Sequence, residues 1–260
     1  MTRRARAVDQ PHILAAALAR ARASAPDGVA VFDLDSTLLD NRPRQAQILR
    51  DYGRAAGVPA LVAARSEHFQ GWDLDATLSA TGLPETLVHA HRLRVRRFWE
   101  ERFFTNDFCR FDVPIPGAPA FVRAVHRAGV RVAYVTGRPE PMEEGTLEVL
   151  ERHGFPLPDG TTTWLFLKPG MALRDDAWKA VARDAVDALG PVALVFENEP
   201  AHVNAYARAW RRALVIHVDT DHSGRPIEVD RGILSVADLR VTPPPARISA
   251  AAANATAGSP

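Results

Sequence analysis

The sequence predicts an α/β fold of three layers, a parallel sheet between helices, with an all-helical unit inserted into it. Three observations predict it. Short apolar runs rich in Val, Leu, Phe and Ala recur along the chain, as expected of strands buried on both faces. Amphipathic helical stretches alternate with those runs, which implies βαβ units with right-handed crossovers. One interval, residues 41–112, breaks the alternation and carries only helical patterns.

The elements follow in order. Residues 11–22 read as an amphipathic helix leading into the first strand. Arg3-Arg4 would suit an export signal, but Asp9, Gln10, His12 and Arg20 interrupt any hydrophobic region, and the apolar stretch 13–19 is too short to span a bilayer. The first strand, Val29-Ala30-Val31-Phe32, ends abruptly in Asp33-Leu34-Asp35. Helical patterns then occupy 43–56, 59–69, 74–80 and 84–103, separated by turn signals at Gly57, Gly71 and Gly82. Pro114, Pro116 and Gly117 mark the return to the main unit. Four further strands are expected at 130–136, 162–167, 192–197 and 213–218, with helices at 118–128, 141–153, 175–189 and 201–211. The tail, 242–260, is rich in Pro, Ala, Ser and Gly without periodicity and is expected to be disordered. The division is thus 1–40 plus 113–241 for the core, 41–112 for the insert and 242–260 for the tail.

Composition sets the outer bounds. With 260 residues, 47% hydrophobic and 24% charged, the chain is ordinary for a soluble globular protein and long enough for a sizeable core. A formal net charge of +1 carries no general signal for polyanions. Cys109 is the only cysteine, so no intrachain disulfide can form, and a reducing, cytoplasmic setting is expected. Among 32 basic side chains only Lys168 and Lys179 are lysines, which singles out both positions.

The ends of the strands carry the chemistry. Asp33 and Asp35 are spaced i, i+2 at the carboxyl end of the first strand, where open α/β sheets bind their ligands. Burying one carboxylate there is costly, and a close pair more so, unless a cation or a reaction needs them. The second strand ends in Thr136-Gly137-Arg138-Pro139 and the fourth in Glu197-Asn198-Glu199-Pro200, with both lysines between. Singly, each has a plain reading: a strand-to-helix turn, acids favoured at a helix N-terminus, solvated lysines. Gathered at one edge of a sheet they suit a phosphoryl group. Mg²⁺ takes a few carboxylate oxygens and keeps its waters. Thr136 and the N–H of Gly137 can donate to phosphate oxygens, and a lysine neutralises charge as phosphate transfers.

In this order the motifs resemble the haloacid dehalogenase-like hydrolase superfamily, over about residues 27–218. The resemblance implies a Rossmann-like catalytic core, with the insert as that family's helical cap, closing over the site as a lid. It further implies a covalent route. Asp33 attacks phosphorus to form an aspartyl-phosphate, while Asp35 protonates the leaving oxygen and then activates water. Mg²⁺ would sit on Asp33, the main-chain carbonyl of Asp35 and the fourth-strand acid, Glu197. Thr136, Gly137, Arg138 and a lysine would hold the phosphoryl group; the spacing favours Lys179, with Lys168 the alternative. Asp35 argues for phosphate over halide substrates, because dehalogenase relatives lack the second aspartate. The chain departs from the family at Glu197, where aspartate is usual; the extra methylene displaces the carboxylate.

The expected partner is a small phosphorylated substrate, with no membrane; oligomeric state is not legible. Three readings of function are open: a phosphomonoester hydrolase, a phosphotransferase or mutase using the same intermediate, and a catalytically silent relative that binds phosphorylated ligands. Other candidates read more plainly. His89, His91, Arg92, Arg94, Arg96 and Arg97 fit a solvated helix face, and nucleic acid as a partner has only this weak support. His217, Asp219, Asp221 and His222 match no standard metal spacing. Cys109 reads as a packed thiol, and Phe69, Trp72 and Trp99 as insert core, one of them a candidate for the pocket wall. Arg42 and Arg44 are placed to reach a substrate anion when a lid closes.

Overall fold

The computed structural model describes residues 9–69 and 71–241; the expected disordered tail lies outside them. In the sheet, β1 (Val29–Phe32) is central, and its chain leaves through β2 (Leu39–Asp40) into the insert and returns through β3 (Val113–Pro114). Then come β4 (Arg131–Pro139), β5 (Thr163–Lys168), β6 (Val192–Glu197), β7 (Leu214–Val218) and β8 (Leu234–Val236). The main sheet is six-stranded among the described residues, in the order β5-β4-β1-β6-β7-β8 and parallel throughout. Because β4 and β6 flank β1, chain direction across the sheet reverses at β1, which is where a crevice forms at the carboxyl ends of the strands.

Alternation along the strands sends side chains to two faces. Ala30, Phe32, Val132, Tyr134, Leu194 and Phe196 pack against one set of helices: α1 (Gln10–Ser24) and, after the insert, α7 (Ala118–Arg127) and α8 (Glu143–Arg152). Val29, Val31, Ala133, Val135 and Val195 pack against α9 (Asp175–Asp187) and α10 (Pro200–Ala209) on the other face. Helix labels run in chain order, so α2 (Arg42–Ala56), α3 (Pro59–Val62), α4 (Leu74–Ala80), α5 (Glu85–Phe103) and α6 (Asn106–Cys109) belong to the insert. The insert has its own core, with Leu49, Tyr52, Leu61, Leu78, Val88 and Val95 buried.

The structure departs from expectation in three places. A sixth strand, β8, joins the sheet edge; three residues are too few to show a period. The stretch 59–69 is not one helix but α3 followed by a 3₁₀ turn, Ser66–His68, and Arg50 Nη1 donates to the Ala64 carbonyl at the break (2.9 Å). Finally, β2 and β3 pair antiparallel, Leu39 opposite Pro114 and Asp40 opposite Val113, so the insert enters and leaves through one two-residue ribbon. Gly117, just past it, sits at φ +84°, and a Cβ there would strike the Leu239 backbone at 2.4 Å, so only glycine fits.

Candidate active site

Register sets the first group. Phe32 pairs with Tyr134 on one side and Phe196 on the other, so Asp33 and Glu197 emerge side by side. The Asp33 N–H donates to the Phe196 carbonyl (3.0 Å), continuing the ladder one residue further. Lys179, one turn into α9, is buried between them: its Nζ lies 2.7 Å from Asp33 Oδ1 and 2.5 Å from Glu197 Oε2. Lys168 stands elsewhere, 2.6 Å from Asp175 Oδ1. One ammonium therefore serves two buried carboxylates. Burial and the Glu197 charge push Asp33 up to about 7, with Lys179 opposing. Burial also disfavours the Glu197 charge, but Lys179 and His202 together outweigh it and hold Glu197 at about 2. Glu197 Oε1 additionally accepts the N–H groups of Asn198 (3.1 Å) and Glu199 (3.0 Å).

Asp35 is held differently. Arg138 grips it with a fork, Nε to Oδ2 at 2.9 Å and Nη2 to Oδ1 at 2.8 Å, and Arg44 Nη2 adds a third contact at 3.2 Å. Against the cost of burial, these guanidiniums keep its carboxyl well below the usual carboxylate range. Both arginines also bind Asp112, at 2.6 Å from Arg138 and 2.5 Å from Arg44. Asp112, Arg44 and Arg138 are all buried. Asp112 lies between α6 and β3 and had no signal in the sequence, since a lone aspartate near a turn is commonplace. Arg44, read as a reach toward substrate, is committed to this cluster, as Arg42 is to Asp40 (2.8 Å).

Residues 30–196 match the haloacid dehalogenase-like hydrolase family, more than half of the chain. The chain belongs to that family. Among curated proteins it is similar to a phosphoglycolate phosphatase of Vibrio cholerae, 31% identical over 130 residues, 48% of this chain and 55% of that protein. A phosphoglycolate phosphatase of Vibrio vulnificus is 28% identical over the same extent. The chain thus spans about half the length of the curated relatives it matches. Among solved structures it resembles protein tyrosine kinase A of Mycobacterium tuberculosis, with a TM-score of 0.50 and 19% identity, over 83% of this chain and 95% of that one. That likeness is one of fold.

In this haloacid dehalogenase-like chain the end of β4 is tightly packed. Thr136 is fully buried; its hydroxyl accepts the Arg138 N–H (3.2 Å) and its carbonyl accepts Trp178 Nε1 (2.8 Å). Gly137 is the neighbour that faces the cavity, and a Cβ there would come 2.9 Å from Asp175 Oδ2, the carboxylate that Lys168 holds. So Lys168 acts on this turn through Asp175. On the other side, Glu199 accepts Ser223 N (2.9 Å) and Arg225 Nη2 (3.1 Å), and Arg225 Nη1 bridges to Asp176 (2.8 Å). His202 Nε2 meets Asp176 Oδ1 at 2.8 Å, while its buried Nδ1 has no hydrogen bond from a described residue and lies 3.9 Å from Glu197 Oε2. Burial opposes a charge on His202, yet these carboxylates raise its pKa. Sequence reasoning passed over His202 and Arg225; His202, five residues past Glu197 in the first turn of α10, was the one that position could have revealed.

Asp33, Asp35, Gly137, Lys179, Glu197 and His202 line a cavity of about 440 Å³. Among the described residues no cluster of three His, Cys, Asp or Glu side chains is set to bind a metal, and His217 is spent on Ser235 (3.0 Å) and the Asn198 carbonyl (3.1 Å). The Asp33–Glu197 pair nevertheless suits a hard cation. Its donors are all oxygen, Asp33 Oδ2 takes no hydrogen bond from a described residue, and two carboxylates against one ammonium leave an excess of negative charge. Among the described residues no helix is long and apolar enough to cross a membrane.

Proposed function

We propose that the protein hydrolyses phosphomonoesters through an aspartyl-phosphate on Asp33. The observation that carries this reading is the Lys179 ammonium, 2.7 Å from Asp33 and 2.5 Å from Glu197 at the ends of adjacent strands, facing one cavity. An Asp33 oxygen attacks phosphorus, the bond from phosphorus to the leaving alcohol oxygen breaks, and that oxygen takes up a proton. Water then attacks the phosphorus of the aspartyl-phosphate, which releases inorganic phosphate and returns Asp33 as carboxylate. Lys179 screens the phosphoryl charge and the Gly137 N–H donates to it, while Thr136, through its bond to the Arg138 N–H, fixes the turn that aims Gly137. Held by Asp33, Glu197 and the Asp35 main-chain carbonyl, a divalent cation, Mg²⁺ in the first instance, would supply the positive charge this pair of carboxylates lacks.

Asp35 is the proton-handling group of this reading. For it to carry a proton, Arg138 must loosen its fork; an arriving phosphoryl dianion competes for the same guanidinium. In this reading residues 1–40 and 113–241 are the catalytic core and 41–112 the cap, of which 1–8 and 70 lie outside the described residues. The name of the Vibrio relatives supports phosphoester hydrolysis as the reaction class. The lone buried thiol, Cys109, favours a cytoplasmic setting. A silent ligand-binding protein is the second reading, favoured by the full occupation of Glu197, whose two oxygens already serve Lys179 and two N–H groups.

The test is phosphate release from a panel of phosphomonoesters with Mg²⁺, Mn²⁺ and Co²⁺. Turnover should vanish in Asp33→Asn, and acid quenching of Asp35→Asn during turnover should leave an alkali-labile phosphoryl group on Asp33. Ligand binding without turnover under any metal would instead select the silent reading.

A further inference from the structure

Resting on the hydrolytic reading above, we infer that the substrate is a phosphomonoester whose alcohol carries a planar aromatic group, held against an aromatic wall built by Trp72. The wall belongs to the same cavity as Asp33, which Trp72, Phe103 and Phe104 also line. Trp72 is 42% exposed, a large apolar surface left open in the lining of a charged site. It is not a loose side chain. Its ring stands edge-on to Phe103 (centroids 5.6 Å, 85°) and to Trp99 (6.1 Å, 87°). Trp99 and Phe103, one turn apart on α5, stack at 4.3 Å and 15°, and Phe104 closes the cluster edge-on at 5.0 Å from Phe103.

The wall is tied to the chemical end of the cavity. Arg44, which holds Asp35, lies over the Phe103 ring at 4.4 Å and donates to the Phe103 carbonyl at 2.9 Å. A phosphoryl group at Asp33 and a ring at Trp72 would therefore occupy two ends of one braced frame. The size agrees: about 440 Å³ is within the range of pockets that enclose drug-sized ligands, far more than a phosphate with a two-carbon acid requires. Arg174, Asp176 and Arg225 line the same cavity, so a wholly apolar ligand is disfavoured and an amphipathic one fits.

The experiment compares 2-phenylethyl phosphate with ethyl phosphate, whose leaving alcohols differ little in acidity, and 3-phenylpropylphosphonate with propylphosphonate, which bind but are not hydrolysed. Wild-type protein with Mg²⁺ should show kcat/KM about tenfold or more higher for the phenyl ester, mostly through KM, and a matching difference in Kd by calorimetry. In Trp72→Ala both ratios should fall below about threefold, while Trp72→Phe should keep most of them; circular dichroism checks that both variants fold. Ratios near one in wild type, or ratios unchanged in Trp72→Ala, overturn the inference. If neither ester is hydrolysed but the phosphonates differ in a Trp72-dependent way, the hydrolytic reading falls and the aromatic subsite stands. If both esters turn over equally, the reverse holds.

Discussion

Asp33 is the residue on which function and stability pull in opposite directions. Its carboxyl is raised from 3.8 to about 7 by burial and by Glu197. The folded state therefore binds this proton more tightly than the unfolded state, and the contribution to stability falls as pH rises from about 4 through 7. Asp33→Asn, neutral at every pH, should melt at least about 3 °C higher than wild type in EDTA at pH 8, and the gap should shrink towards pH 5. A lower melting temperature at pH 8 would mean the site tolerates the charge. The lysine question belongs to the same scale. Lys179 lies between the two carboxylates and the Lys168 ammonium is paired with Asp175, so Lys179→Ala should cost about a hundredfold or more in kcat and Lys168→Ala less than about tenfold. Much of this was legible in the sequence, because Asp33, Glu197 and Lys179 each follow from a strand end or a rare residue type. What Asp35 touches was not, because Arg138, Arg44 and the Asp112 that both arginines share come from three separate segments that only the folded chain brings together.

Among elements, the junction of insert and core is tied by a buried ion-pair cluster. Asp112, on the returning segment, neutralises Arg44 from α2 and Arg138 from β4, with no solvent to replace it. Asp112→Ala would leave two buried guanidiniums sharing only Asp35, and should destabilise the protein by about 3–5 kcal/mol in denaturant unfolding. A loss below about 1 kcal/mol would mean water enters the cluster. The same variant should release part of the hold on Asp35. Periodicity located the two long helices of the insert, α2 and α5, because their buried apolar residues recur at helical spacing, Ala46, Leu49 and Tyr52 on one and Val88 and Val95 on the other. It failed for β2, β3, α6 and β8, which have two to four residues each and are made by neighbours, not by local pattern.

At the scale of the whole molecule, the strand order explains why the site is where it is. With β1 between β4 and β6, the three strand ends carrying Asp33, Gly137 and Glu197 are adjacent, and α9 crosses close enough to lower Lys179 among them. Alternating strands and helices in the sequence were enough to predict the layered sheet. The order of strands within it was less legible, since right-handed crossovers allow several orders and only packing selects one.

The paired ribbon at Asp40 and Val113 has a consequence for how this architecture can vary. Because the two chain ends of the helical unit meet as partners, the sheet is indifferent to how much polypeptide lies between them. Loop-closure entropy rises only logarithmically, about 0.6 kcal/mol for each doubling of length. Helices can therefore be lengthened, lost or replaced beyond that gate while the strand ends keep their register, so ligand preference is free to diverge faster than the chemistry beneath it.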